Sequence, residues 1–109
     1  MLISTEKAYD MLPAVVDLYD KLEIDNYRKR ISEENKSKEL DQMTMGIGLF
    51  KFVLKNSSKV KNEVFEIVAI FQEKTVEEIK AQSFVTTANS LKEIFADKEA
   101  MGLFGDAIR

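Results

Sequence analysis

Apolar residues recur at spacings of three and four positions along most of this chain, which is the period of an amphipathic helix. The first such pattern predicts a helix from about residue 5 to residue 22 or 23, with Ser4 or Thr5 as its N-cap. Pro13 removes one backbone hydrogen bond but leaves the pattern unbroken, so we expect a kink or a restart within this segment. The apolar face consists of Ala8, Tyr9, Leu12, Val15, Val16, Tyr19 and Leu22.

The middle of the chain predicts a short helix followed by a long one. The short helix is expected over residues 27–31, and the polar residues 32–37 are expected to form a loop. A long helix with wide apolar coverage is then predicted from about residue 38 to residue 55. Gly46 and Gly48 each weaken this helix by about 1 kcal/mol relative to alanine. The absence of side chains at both positions permits another part of the chain to approach closely.

The second half of the chain continues the helical spacing. A helix is predicted over residues 59–73, although the β-branched residues within 64–71 make a strand the competing interpretation. The spacing of three and four favours the helix. Thr75 and Glu78 match a capping box, which predicts a short helix over residues 76–81. The apolar face of the last predicted helix, which starts at Ser83, consists of Val85, Ala88, Leu91, Ile94 and Phe95.

These patterns predict an all-α fold, a compact single-domain bundle of five or six helices. A length of 109 residues suits one domain with one core. The helical domain is expected to cover residues 1–97. Beyond it the periodic pattern fails, so residues 98–109 are expected to form a short C-terminal tail that is either disordered or available to a partner.

The composition excludes several kinds of chemistry. With no cysteine and no histidine, the chain cannot form a disulfide framework, a thiolate nucleophile, a histidine-based triad or a zinc site built on these residues. Asp17 and Asp20 lie one helical turn apart, but two carboxylates without further ligands make a weak cation site, so we interpret them as surface charge. We therefore predict that the protein is not an enzyme and uses no cofactor and no metal.

The charge balance argues against a nucleic-acid partner, and the short apolar runs argue against a membrane span. Nineteen acidic and sixteen basic residues give a net charge of −3, whereas phosphate backbones attract concentrated positive charge. The cluster Arg28-Lys29-Arg30 beside Tyr27 is too small to form a nucleic-acid surface on its own. No apolar run approaches the ~20 residues of a membrane span, so a soluble intracellular protein is expected.

Apolar residues outside the main helical stripes are the strongest candidates for function. Met45, Leu49 and Phe52 form one such set, and Leu103 and Phe104 form another. Methionine side chains adapt to partners of different shape. Both sets therefore predict a partner-binding surface, such as a groove that takes the apolar face of a helix. The alternative is that both sets belong to the core.

Two segments carry a resemblance to a known family. Residues 9–22, YDMLPAVVDLYDKL, followed by residues 23–25, EID, resemble the opening of the tail assembly chaperones of siphophages and related prophages. Residues 60–70, VKNEVFEIVAI, and residues 75–79, TVEEI, resemble the second half of the same proteins. The resemblance rests on helical phrases that extend over most of residues 5–95.

The resemblance implies a binding role. Such a chaperone binds the tape measure protein and keeps it soluble until the tail tube assembles, and a longer form made by ribosomal frameshifting contacts the tail tube protein. It would act in the cytoplasm of the bacterial host, possess a tendency to form homo-oligomers and be absent from the mature virion. The alternatives are a small structural phage protein of the head–tail connector type and a helix-turn-helix regulator whose recognition helix lies within residues 59–73.

Overall fold

The computed structural model describes residues 3–34 and 42–107, and within them the chain is helical throughout its regular structure. The elements are α1 (Thr5–Leu22), α2 (Ile24–Glu34), α3 (Gln42–Lys55), a short 3-10 helix (Ser57–Val60), α4 (Lys61–Gln72), α5 (Val76–Ala81), α6 (Phe84–Ala96) and α7 (Lys98–Ala107). The described residues contain no strand, so the all-α prediction is confirmed, with seven α-helices where five or six helices were expected. The strand alternative for residues 64–71 is wrong, because these residues lie in α4.

Element boundaries differ from the prediction mainly around α2. This helix extends beyond the predicted residues 27–31 at both ends and includes residues 32–34, which were expected to lie in a loop. The start predicted for the long helix, at residues 38–41, lies outside the described residues. From residue 42 to residue 55 the helix forms as predicted.

The first helix continues through its proline without a break. Ser4 caps it by accepting a hydrogen bond from the backbone N–H of Lys7 at 3.2 Å. Pro13 and Tyr9, four residues earlier, both lie on the exposed face of α1. The proline ring leaves the Tyr9 carbonyl without its helical partner, and both residues lie on the solvent-facing side of α1 rather than in the core. Of the two expectations, a restart is ruled out.

The helices after α4 begin at side-chain caps. Thr75 accepts a hydrogen bond from the backbone N–H of Glu78 at 3.1 Å, and the Glu78 carboxylate accepts one from the backbone N–H of Thr75 at 3.1 Å. The predicted capping box is thus confirmed, and α5 has the predicted bounds. Ser83 caps α6 in the same manner by accepting from the N–H of Thr86.

The core lies where α1 packs against α4 and α7 while α3 packs against α6. The Cα radius of gyration is 13.6 Å, close to the ~13 Å typical of one folded domain of about 100 residues. Lys21 joins α1 to α4 through a hydrogen bond from its Nζ atom to Glu63 Oε2 at 2.6 Å. Lys7 joins the same helices near their other ends by donating to the Phe71 carbonyl at 3.2 Å.

A glycine allows α3 and α6 to approach closely. A Cβ atom at Gly46 would lie 2.5 Å from the carbonyl oxygen of Phe95, well inside the ~3.5–4.0 Å of a comfortable contact. The predicted close approach is therefore confirmed at Gly46. At Gly48 the nearest atom to such a Cβ would be the Tyr27 hydroxyl, at 3.1 Å, on a side chain that has more freedom to move.

Residues 98–107, which were expected to belong to a tail, form α7 and pack onto α1 and α6. Asp97 begins this helix by accepting a hydrogen bond from the backbone N–H of Ala100 at 3.0 Å, and its second oxygen accepts from the N–H of Ile3 at 2.9 Å. Phe104 has no exposed surface. The apolar pattern of this segment is short, so the helix depends on packing against neighbours that are remote in sequence.

Candidate functional site: an apolar groove

The partner-binding residues predicted from the sequence do not form one exposed surface. Leu49 is only 6% exposed and Phe104 is fully buried, so both belong to the core and neither presents a side chain to a partner. Phe52 is half-buried, and its ring stacks on Tyr27 with the ring centroids 4.3 Å apart. Leu103 is half-buried against the core. Met45 lies in α3, and its side chain is outside the described part of the structure.

Within the described part of the chain, the most exposed large apolar side chains lie instead in the first turn of α6. Phe84 is 68% exposed and Val85 is 65% exposed. The expectation that Val85 faces inward is therefore wrong. The buried face of α6 instead includes Thr87 and Ser90. Their hydroxyls are hydrogen-bonded to the side chains of Gln82 at 2.9 Å and Gln72 at 2.7 Å, respectively, so both can lie in the interior.

Phe84 lies beside a groove of about 430 Å³ that five elements form together. Its floor is made of buried apolar residues such as Val64, Ile79 and Leu91. Half-buried and exposed apolar residues rise around this floor. The lining comprises Leu54, Ser57, Ser58, Lys61, Val64, Phe65, Ile79, Lys80, Gln82, Phe84, Thr87, Ala88 and Leu91.

Among the described residues, the charged side chains that line this apolar groove are basic, in a chain whose net charge is −3. Lys61 and Lys80 are the charged residues of the lining. Lys80 lies 3.5 Å from Glu77 one turn earlier, but both side chains are largely exposed, so water weakens this pair. The residues from 51 to 61 include four lysines and no acidic residue, and this segment supplies one wall of the groove.

One polar group in the lining lacks a partner. The Gln82 side chain donates to the Thr87 hydroxyl through Nε2, but its Oε1 atom is buried and accepts no hydrogen bond from any residue that the structure describes. A buried acceptor without a donor costs about 1–3 kcal/mol. The groove lining therefore contains a buried hydrogen-bond acceptor that no described residue satisfies.

A second cleft, of about 630 Å³, has a different character. It lies between the start of α1, the end of α4 and the start of α5, and its lining mixes acidic and basic side chains. Among the described residues, no group of three or more acidic side chains is placed to hold a metal ion. Its ten lining residues are Ser4, Glu6, Lys7, Asp10, Glu66, Ala69, Ile70, Glu73, Lys74 and Val76.

Two glutamates have lowered pKa values, and in both cases the cause is a hydrogen bond that stabilises the fold. The hydrogen bond from Lys21 lowers the pKa of Glu63, and the hydrogen bond from the Thr75 backbone N–H lowers the pKa of Glu78. Each carboxylate is thus stabilised in its charged form by a helix contact or a helix cap. Neither group lines the apolar groove.

Comparison with known proteins leaves the groove as the main guide to function. No known protein family, curated protein or solved structure matches the chain. No helix within the described residues is long and apolar enough to cross a membrane.

The sequence contained two signals of the groove: Phe84 directly after the cap residue Ser83, and the run of lysines between residues 51 and 61. Either would have drawn attention to this face.

Proposed function

We propose that this chain is a tail assembly chaperone that binds an apolar helical segment of the phage tape measure protein and shields it until the tail tube assembles. The observation that carries this proposal is the apolar groove lined in part by the exposed Phe84, with the exposed Val85 next to it in sequence. Large exposed apolar side chains that adjoin a groove are typical of interaction sites. The resemblance of residues 9–25 and 60–79 to tail assembly chaperones narrows the partner to the tape measure protein.

A helix is the partner shape that such a groove favours. An amphipathic helix presents apolar side chains at spacings of three, four and seven, and these seat along a hydrophobic groove between helices. Phe84 and Leu54 offer exposed and half-buried apolar surface for that contact. A long client with many such stripes binds several copies, so modest affinity at each groove suffices for reversible cover.

The proposed role sets the cellular context. The protein acts in the cytoplasm of the bacterial host, catalyses no reaction and leaves the tail before the virion is complete. Copies assemble along the tape measure protein, and a frameshifted longer form brings in the tail tube protein. A structural head–tail connector would instead remain in purified virions, which mass spectrometry of virions distinguishes directly.

A DNA-binding role receives less support from the fold. The helix that was the candidate recognition helix corresponds to α4, whose residues Val64, Ile67 and Val68 are buried against other helices. A recognition helix needs a free face of polar side chains that reaches the base edges. Lys61 and Asn62 remain exposed on α4, but the exposed Glu66 follows one turn later.

Co-expression with the tape measure protein from the same phage tests the proposal. We expect the wild-type chain to move the tape measure protein from the pellet into the supernatant, and we expect Phe84→Ser combined with Val85→Ser to reduce that fraction severalfold. Tyr9→Ser is the matched control, because Tyr9 is 59% exposed on α1 and does not line the groove. A tape measure protein that stays equally insoluble with and without the wild-type chain would rule the proposal out.

A further inference from the structure

We infer that the groove beside Phe84 selects an acidic amphipathic helix of a partner protein, with carboxylates flanking its apolar face. The inference rests on the proposed function only in taking a helix as the occupant, and it does not depend on the partner being a tape measure protein. The apolar face seats against the Phe84 side of the groove. The flanking carboxylates then meet the ammonium groups of Lys61 and Lys80.

The distribution of charge carries this inference. The charged residues of the groove lining are both lysines, although acidic residues outnumber basic ones in the chain. Lys55 and Lys59 lie next in sequence to the lining residues Leu54 and Ser58. The cleft between α1 and α4, by contrast, has four acidic and two basic residues in its lining. Charges at the edge of an interface select the partner and its register more than they add affinity.

A second copy of this chain is a poor occupant. The exposed large apolar residues of the described chain are Tyr9, Ile47, Phe84 and Val85. These residues do not form an apolar stripe of several turns on one helix. The strongly acidic α1, with Asp10, Asp17 and Asp20, turns its apolar face into its own core. The described residues therefore offer no free acidic amphipathic helix, and the occupant comes from another protein.

Designed helical peptides test the inference without any phage protein. The first peptide carries leucines at helical spacing with glutamates on both flanks, and the second carries lysine in place of every glutamate. With fluorescein labels and anisotropy detection at low salt, we expect the glutamate peptide to bind the full chain about tenfold more tightly than the lysine peptide. This preference should shrink at about 0.5 M salt, where the Debye length is only a few ångströms.

Matched variants separate the groove from overall charge. We expect Lys61→Glu combined with Lys80→Glu to reverse the preference between the two peptides. Lys29→Glu combined with Lys74→Glu changes the net charge equally at exposed positions outside the groove, and we expect it to retain the wild-type preference. Phe84→Ser should weaken binding of both peptides. Circular dichroism and thermal melting establish that each variant is folded before its affinity is measured.

Three results would overturn the inference: equal affinity of the two peptides, binding by neither peptide, or affinity unaffected by Phe84→Ser. A dimer that dissociates on Phe84→Ser in sedimentation experiments would identify a second copy as the occupant and would also overturn it. Because no phage protein is present, these results are independent of the co-expression test. If the peptides show the expected selectivity but the solubility of the tape measure protein does not change on co-expression, the proposed function is refuted and this inference stands.

Discussion

The hydrogen bond between Lys21 and Glu63 is the closest ionic contact between α1 and α4 among the described residues. Its donor and acceptor atoms lie 2.6 Å apart, and the Glu63 residue is only 8% exposed. The hydrogen bond from Lys21 lowers the pKa of Glu63 below its ordinary 4.5, and the same bond raises the pKa of Lys21 above its ordinary 10.5. Both pKa shifts mean that the pair of charged side chains stabilises the folded state relative to the unfolded state.

We expect Glu63→Gln to lower the free energy of unfolding by about 1 kcal/mol at pH 7, measured by urea denaturation. The difference from wild type should persist above pH 4.5, because the unfolded carboxyl is then ionised as well. It should disappear as the pH falls through the lowered folded pKa, and it should also decline as the pH rises through the raised pKa of Lys21. Glu93→Gln, at an exposed position of α6 away from Lys21, is the control. An equal effect of both variants would contradict this account.

The spacing of apolar residues could not predict which polar residues are buried. Glu63 is buried because its partner lies 42 positions earlier in the chain, and Thr87 is buried because Gln82 satisfies its hydroxyl. Such pairings have no local periodic signal. Once Thr87 and Ser90 lie inside, α6 turns Val85 outward, and the sequence prediction placed that residue on the wrong face.

At the scale of helices, the contact between α3 and α6 depends on the missing side chain at position 46. Alanine would improve helix propensity by up to about 1 kcal/mol, but its Cβ would lie 2.5 Å from the Phe95 carbonyl oxygen. Because that oxygen belongs to the backbone of a packed helix, relief requires a shift of α6. The steric cost, about 1–3 kcal/mol, exceeds the gain.

We therefore expect Gly46→Ala to lower the melting temperature by several degrees, since each kcal/mol shifts it by roughly 4–8 °C in a domain of this size. Gly102→Ala is the matched control, because a Cβ there would meet nothing within 4 Å. The control should instead raise stability by about 0.5–1 kcal/mol. Differential scanning fluorimetry measures both variants, and a stabilising Gly46→Ala would show that the two helices are not held this closely.

Elements with local signals were the ones that the sequence predicted well. The capping box at Thr75 and Glu78 predicted α5 with its observed bounds, because both hydrogen bonds form between residues three positions apart. The seventh helix has weaker local signals and is stabilised by distant neighbours, so it was expected to be a tail. The sequence predicted a helix-binding groove at other residues and not this one, because the lining of the observed groove comes from five elements whose arrangement only the folded chain reveals.

At the scale of the whole molecule, α7 is part of the core. Phe104 is fully buried and Ala100 is 3% exposed, so removal of this helix would expose apolar surface on α1 and α6. A domain of this size has a total stability of about 5–15 kcal/mol. Loss of one large buried aromatic side chain therefore consumes a substantial part of it.

We expect Phe104→Ala to lower the free energy of unfolding by about 3–5 kcal/mol, measured by chemical denaturation. The neighbouring Leu103 is half-buried, so Leu103→Ala should cost distinctly less, about 1–2 kcal/mol. Small and equal effects of the two variants would mean that residues 98–107 contribute little to the fold. That outcome would favour the expectation of a tail that is disordered or available to a partner.

The Asp97 carboxylate, which accepts one hydrogen bond from the Ile3 amide and another from the Ala100 amide, has a practical consequence. These two hydrogen bonds join the beginning of the described chain to α7, which lies near the other end of the chain. Departure of α7 would release the Ile3 amide proton to solvent at the same moment. The rate of hydrogen–deuterium exchange at that single amide, followed by NMR, thus reports how often α7 separates from the rest of the domain.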